Sequence, residues 1–127
     1  MSPRRFPLAR LGAPLAVLAL GLGASACTST ADAADATVAV EGTDTACTPS
    51  ATTLTAGTIA FALTNRSSKT NELYVKGADG KIRGEVENVG SGTTRTLTVT
   101  LKAGDYQLVC KPGEKGDGIA AAVTVTG

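Results

Sequence analysis

From Thr37 onward, apolar and polar residues alternate with a period of two. "TVAVEG" is a short run of this kind. "GTIAFALTN" sets Ile59, Phe61 and Leu63 on one face, and "TRTLTVTLKAG" sets Leu97, Val99 and Leu101 against a row of threonines. "DYQLVC" aligns Tyr106, Leu108 and Cys110, and "IAAAVTVTG" aligns Ile119, Ala121, Val123 and Val125. Strict alternation, β-branched residues and glycine-containing breaks predict strands with one buried face. "TAGT" and "KAGD" predict turns at Gly57 and Gly104. No window has the spacing and caps of an amphipathic helix, so parallel βαβ units are not expected. About seven or eight short strands predict an all-β, antiparallel sandwich.

The start of the chain reads differently. "MSPRRFPLAR" carries three arginines, and an uncharged apolar stretch follows from Leu11 to Ala26. A basic start, a short apolar segment and small residues at its end mark an export signal over residues 1–26. The stretch falls short of the roughly 20 residues of a membrane-spanning helix. "ASAC" resembles the lipobox of bacterial lipoproteins, which predicts lipidation of Cys27 and anchoring at the outer face of the cell membrane. "TSTADAADA" then serves as a flexible tether, placing the tether at 27–36 and the folded domain at 37–127.

Loss of Arg4, Arg5 and Arg10 leaves nine basic residues against 11 acidic ones, with no basic run or stripe. Beyond residue 26 the aromatics are Phe61, Tyr74 and Tyr106. Nucleic acid is not an expected partner. So few aromatics and so many alanines make a thin core, marginal for a domain of this size without a staple.

The candidate chemistry rests on cysteines and carboxylates, because the chain contains no histidine. Blue-copper sites need two histidines beside a cysteine, and Ser–His–Asp or Cys–His catalysis needs one. Paired carboxylates for glycoside chemistry would lack an aromatic platform. An enzyme is therefore not expected, nor a haem or nucleotide cofactor. With Cys27 assigned to lipid, Cys47 and Cys110 form an even pair in an exported chain. They are either a disulfide or two thiolate ligands for copper, zinc or iron, completed by carboxylates. Glu72, Glu85, Glu87, Glu114 and Asp117 are the candidate oxygen donors. "NRS" at Asn65 fits an N-glycosylation sequon, a common chance match, and "GEKGDG" reads as a solvated loop.

Several of these segments together resemble the cupredoxin-like domain of EfeO-type iron-uptake proteins. Cys47 and Pro49 match a Cys-x-Pro element, and "NRSSKTNE" is a turn that leads to Glu72. "GEVEN" matches an acidic segment, and Leu101, Gly104, Tyr106 and Cys110 match L-x-x-G-x-Y-x-x-x-C. The resemblance covers residues from about 37 to 127. It implies a Greek-key cupredoxin-like sandwich without histidine ligands and an iron or copper ion held by Cys47, Glu72, Glu85 and Cys110, with Glu87 as a neighbour. It also implies that Cys47 and Cys110 meet at the end where "KPGEKGDG" begins, and that the permease of an iron-uptake system is a partner. A stand-alone domain is expected, without the peptidase-like domain of the larger relatives. The alternative is a metal-free binding module stapled by a Cys47–Cys110 disulfide; a weaker option is a thiol–disulfide partner for another exported protein.

Overall fold

The computed structural model describes residues 33–127. The strands are β1 (Ala36–Gly42), β2 (Cys47–Pro49), β3 (Thr53–Thr55), β4 (Gly57–Asn65), β5 (Asn71–Gly77), β6 (Ile82–Val89), β7 (Thr94–Leu101), β8 (Gly104–Cys110) and β9 (Ile119–Thr126). Among the described residues, one 3-10 turn covers Pro112–Glu114. The signal segment, Cys27 and most of the tether lie outside the described residues. Ala36, the last residue assigned to the tether, already belongs to β1.

The strands form two packed sheets, ordered β2-β1-β4-β7 and β3-β9-β8-β5-β6. The chain changes sheet at β2–β3, β3–β4, β4–β5, β6–β7 and β7–β8. These crossings make a Greek-key sandwich. The expected all-antiparallel pairing needs correction: β1 runs parallel to β4, and β3 runs parallel to β9. No helix makes these parallel connections. The chain returns from β1 to the start of β4 through β2 and β3, whose three residues each are too few to display a period of two.

The alternating residues supply the core. Ile59, Phe61, Leu63, Leu73, Val75 and Leu108 are fully buried, with Val38, Val40, Val123 and Val125 nearly so. At one end of the sandwich, the Tyr106 hydroxyl donates to the Lys102 carbonyl at 2.8 Å. This is the tyrosine-corner device of Greek-key proteins. Much of the L-x-x-G-x-Y motif therefore serves the β7–β8 corner. The other end holds the candidate chemistry.

Candidate functional site

Cys110 closes β8 and Cys47 opens β2, so each sheet delivers one sulfur to the same end of the sandwich. The two form a disulfide with Cα atoms 5.5 Å apart. Both are buried, Cys110 completely. The bond joins the centre of the five-stranded sheet to the edge of the four-stranded one. It closes a loop of 63 residues, worth about 4 kcal/mol by chain entropy. Gly42 leaves space beside it: a Cβ there would come within 2.8 Å of Asn71 Nδ2 and 3.5 Å of Cys110 Sγ.

The turn leading to Glu72 is built on Asn65, which is fully buried. Its Nδ2 donates to the carbonyls of Lys69 at 2.7 Å and Val89 at 2.8 Å. Its Oδ1 accepts from the Ser67 amide and hydroxyl. Asn71 Oδ1 in turn accepts from the Glu72 amide at 2.9 Å. The sequon asparagine is thus a structural corner, and its nitrogen is inaccessible to a glycosyl donor in the folded protein.

Leu73 is the register partner of Cys110 and shares its inward face. Glu72 and Tyr74, one residue to either side, therefore point to the outer face. The Tyr74 hydroxyl donates to Glu72 Oε2 at 2.7 Å. Glu85 sits directly across from Tyr74 on β6. The register shift after Asn71 places Glu87 and Asn88 against Glu72, with Asn88 at φ 56°. Such a bulge re-aims side chains at a sheet edge. The hydrogen bond to Glu72 holds the Tyr74 phenol well above its ordinary range; burial and the charges of Glu72, Glu87 and Glu85 act in the same direction.

The four residues expected to share a metal centre are therefore divided by the sheet. Cys47 and Cys110 are inside and joined to each other; Glu72 and Glu85 are outside. Among the described residues, no three cysteine or carboxylate side chains converge as a metal centre. The donor set does not fit a single mixed sulfur–oxygen site. Glu114 and Asp117 lie on the exposed loop after Cys110.

Glu72 itself is only 9 % exposed. The ion pairs among the described residues, Arg66–Glu41 and Arg83–Asp79, leave it without a cationic partner. Sequence reasoning missed Tyr74 and Lys111. The Lys111 amide donates to the Glu72 carbonyl at 3.0 Å, and its ammonium lies 5.4 Å from the centre of the Tyr74 ring. Glu72 and Tyr74, two apart on a strand, carried the signal that could have found the tyrosine.

A family model described as cupredoxin-like domain matches residues 15–125. The chain belongs to this family. Among solved structures, this cupredoxin-like domain is similar to auracyanin from Roseiflexus castenholzii, with 17% identity and a TM-score of 0.57 over 75% of this chain and all of that one. Auracyanin B gives 17% identity and a TM-score of 0.60 over 76% of this chain and 92% of its own. Auracyanin A from Chloroflexus aurantiacus, a "blue" copper protein, gives 19% and 0.53 over 71% and 98%. At these identities the likeness is one of fold. No curated protein matches the chain by sequence.

Proposed function

We propose that this protein is a lipid-anchored, extracytoplasmic cupredoxin-like domain that receives ferric iron as cargo beside an iron-uptake permease. It does so through oxygen donors on the outer face of the five-stranded sheet, while Cys47 and Cys110 act as a staple. One observation carries the reading: Glu72, nine-tenths buried, has no ion-pair partner among the described residues. Carboxylates removed from water are ordinarily paired or bound to a metal. The Tyr74 hydroxyl is already hydrogen-bonded to Glu72, and Glu85 is the cross-strand neighbour of Tyr74. Glu85 is exposed, and in this reading it closes onto that pair by side-chain rotation. Carboxylate and phenol oxygens are hard donors and suit a trivalent ion. The export setting rests on "ASAC" and Cys27, and the permease partner on the EfeO-type resemblance. Auracyanin A is a blue copper protein. Here, without histidine and with both sulfurs oxidised, copper(II) is expected to give no blue absorption.

Terbium(III), a hard trivalent ion excited through nearby tyrosines, tests the reading. Tyr74 and Tyr106 are the two tyrosines of the chain, and tryptophan is absent. The full-length protein, purified in a neutral detergent with its disulfide intact, should give tyrosine-sensitised emission. Tyr74→Phe should abolish that emission, Glu72→Gln should weaken binding, and ferric iron should compete it away. Emission that survives Tyr74→Phe, or its absence from the wild type, sinks the proposal. The anchor is tested separately: Cys27→Ala should release the protein from membranes on fractionation.

A second reading has its own support. Ile82 is 50% exposed and, with Tyr74, Lys76 and Lys111, lines a shallow hollow of about 220 Å³. A metal-free, disulfide-stapled module would use this patch to bind a protein. The absence of both terbium and ferric binding would favour it.

A further inference from the structure

We infer that Lys111 is a built-in positive charge beside the outer-face oxygen site, unpaired with its carboxylates and weakening cation binding there so that cargo can be passed on. The inference rests on the cargo reading above and adds the element that regulates it. Lys111 directly follows Cys110 at the end of β8, and backbone hydrogen bonds rather than the staple set its place. Its amide donates to the Glu72 carbonyl, and Gly113 donates to Thr70 at 2.7 Å, which clips the loop onto the strand that carries Glu72 and Tyr74. Gly118 frames the lysine stem: at φ 79°, a Cβ there would stand 2.7 Å from Lys111 Cγ, Val109 Cγ1 and the Cys110 carbonyl. Val109 is itself the register partner of Tyr74. The stem is thus confined between the loop and the sheet, and the ammonium is held over the Tyr74 ring.

From there Lys111 can act on the site in two ways. Its charge repels an incoming cation at short range. Its cation–π contact also stabilises the ring position in which Tyr74 donates to Glu72. A trivalent ion entering between Glu72, Tyr74 and Glu85 must work against both. Binding is therefore weaker than the oxygen donors alone would give, which suits a carrier that hands its ion on.

Terbium titration of the full-length protein in neutral detergent tests this. Lys111→Met should tighten binding roughly tenfold, the scale of one unit charge repelling a trivalent ion across several ångströms in a largely aqueous dielectric. Lys111→Arg should bind like the wild type. Lys115→Met removes the same charge farther along the loop and should change affinity little. The gap between Lys111→Met and wild type should narrow as salt is raised. No binding by any of these proteins removes the cargo reading and this proposal with it. Wild-type binding that Lys111→Met leaves unchanged, or that Lys111→Met and Lys115→Met shift alike, overturns the role of Lys111 alone and leaves the cargo reading standing.

Discussion

Two faces of the same sheet, one residue apart along the chain, do opposite things. On the inner face Leu73 and Cys110 are fully buried, and the sulfur is covalently bound to Cys47. On the outer face Glu72 is almost as deeply buried, yet its hydrogen-bond partner is a tyrosine and no cation pairs with it. The inner group is closed off by a covalent bond; the outer one is held by a hydrogen bond and no ion pair. In this cupredoxin-like sandwich without histidine, the inside of this end is closed by sulfur–sulfur bonding, whereas the outside presents a tyrosine–carboxylate pair.

The largest test of this division is removal of the staple. The double variant Cys47→Ala, Cys110→Ala should lose about 4 kcal/mol in denaturant unfolding, while its terbium affinity under native conditions stays within a factor of about two, because the sheet separates the sulfurs from the oxygens. Loss of terbium binding from a variant that remains folded would join the two faces into one site.

Next in size is Asn65→Ala. It leaves the Lys69 and Val89 carbonyls and the Ser67 donors without their buried partner. A loss of about 2–3 kcal/mol is expected, with terbium binding weakened because the turn aims Glu72. This variant loads both faces and calibrates the staple variant, which should load one.

Glu72→Gln should behave in the opposite way. The amide oxygen can still accept from Tyr74, and the negative charge with no ion-pair partner is gone. Stability should hold or rise by up to about 1 kcal/mol while terbium affinity falls. A clear destabilisation would show that the carboxylate is already satisfied in the free protein.

How much of this was legible in the sequence follows from the same periodicity. Ile59, Phe61, Leu63, Leu97 and Leu101 announced buried faces by strict alternation, and all are buried. Strands β2 and β3 hold three residues each and could not announce themselves, so the two parallel pairings were invisible. The meeting of Cys47 with Cys110 was implied by resemblance, and the structure joins them. The grouping of Glu72 and Glu85 with those sulfurs was likewise implied by resemblance, and spacing along the chain could not show which carboxylates converge. On a strand, adjacent residues face opposite ways, and the alternation that revealed the core also separated these ligands. Lys111 carried no local signal, since its position depends on a fold-back of the loop onto β5.

The smallest effect is a titration. The hydrogen bond to Glu72 holds the Tyr74 phenol above its ordinary range, with burial and the surrounding carboxylates adding to it. In a Tyr106→Phe background, Tyr74 is the sole tyrosine, and the alkaline ultraviolet spectrum reports it alone. Loss of the Tyr106 hydroxyl should itself cost about 1 kcal/mol, from the bond to the Lys102 carbonyl at the far end of the sandwich. Tyr74 should ionise above the usual phenol value of about 10, and Glu72→Gln should bring it back down. The sign of the linkage follows. A phenol whose folded pKa is raised contributes stability that is fully present below the unfolded value and is lost as pH climbs through the folded one. A bound trivalent ion favours the phenolate and reverses the preference. Terbium affinity should therefore increase with pH, with a proton released on binding, and the pH slope should flatten in Tyr74→Phe. An ordinary Tyr74 titration, or a terbium affinity that ignores pH, would leave the outer face without the tyrosine–carboxylate pair that distinguishes it from the inner one.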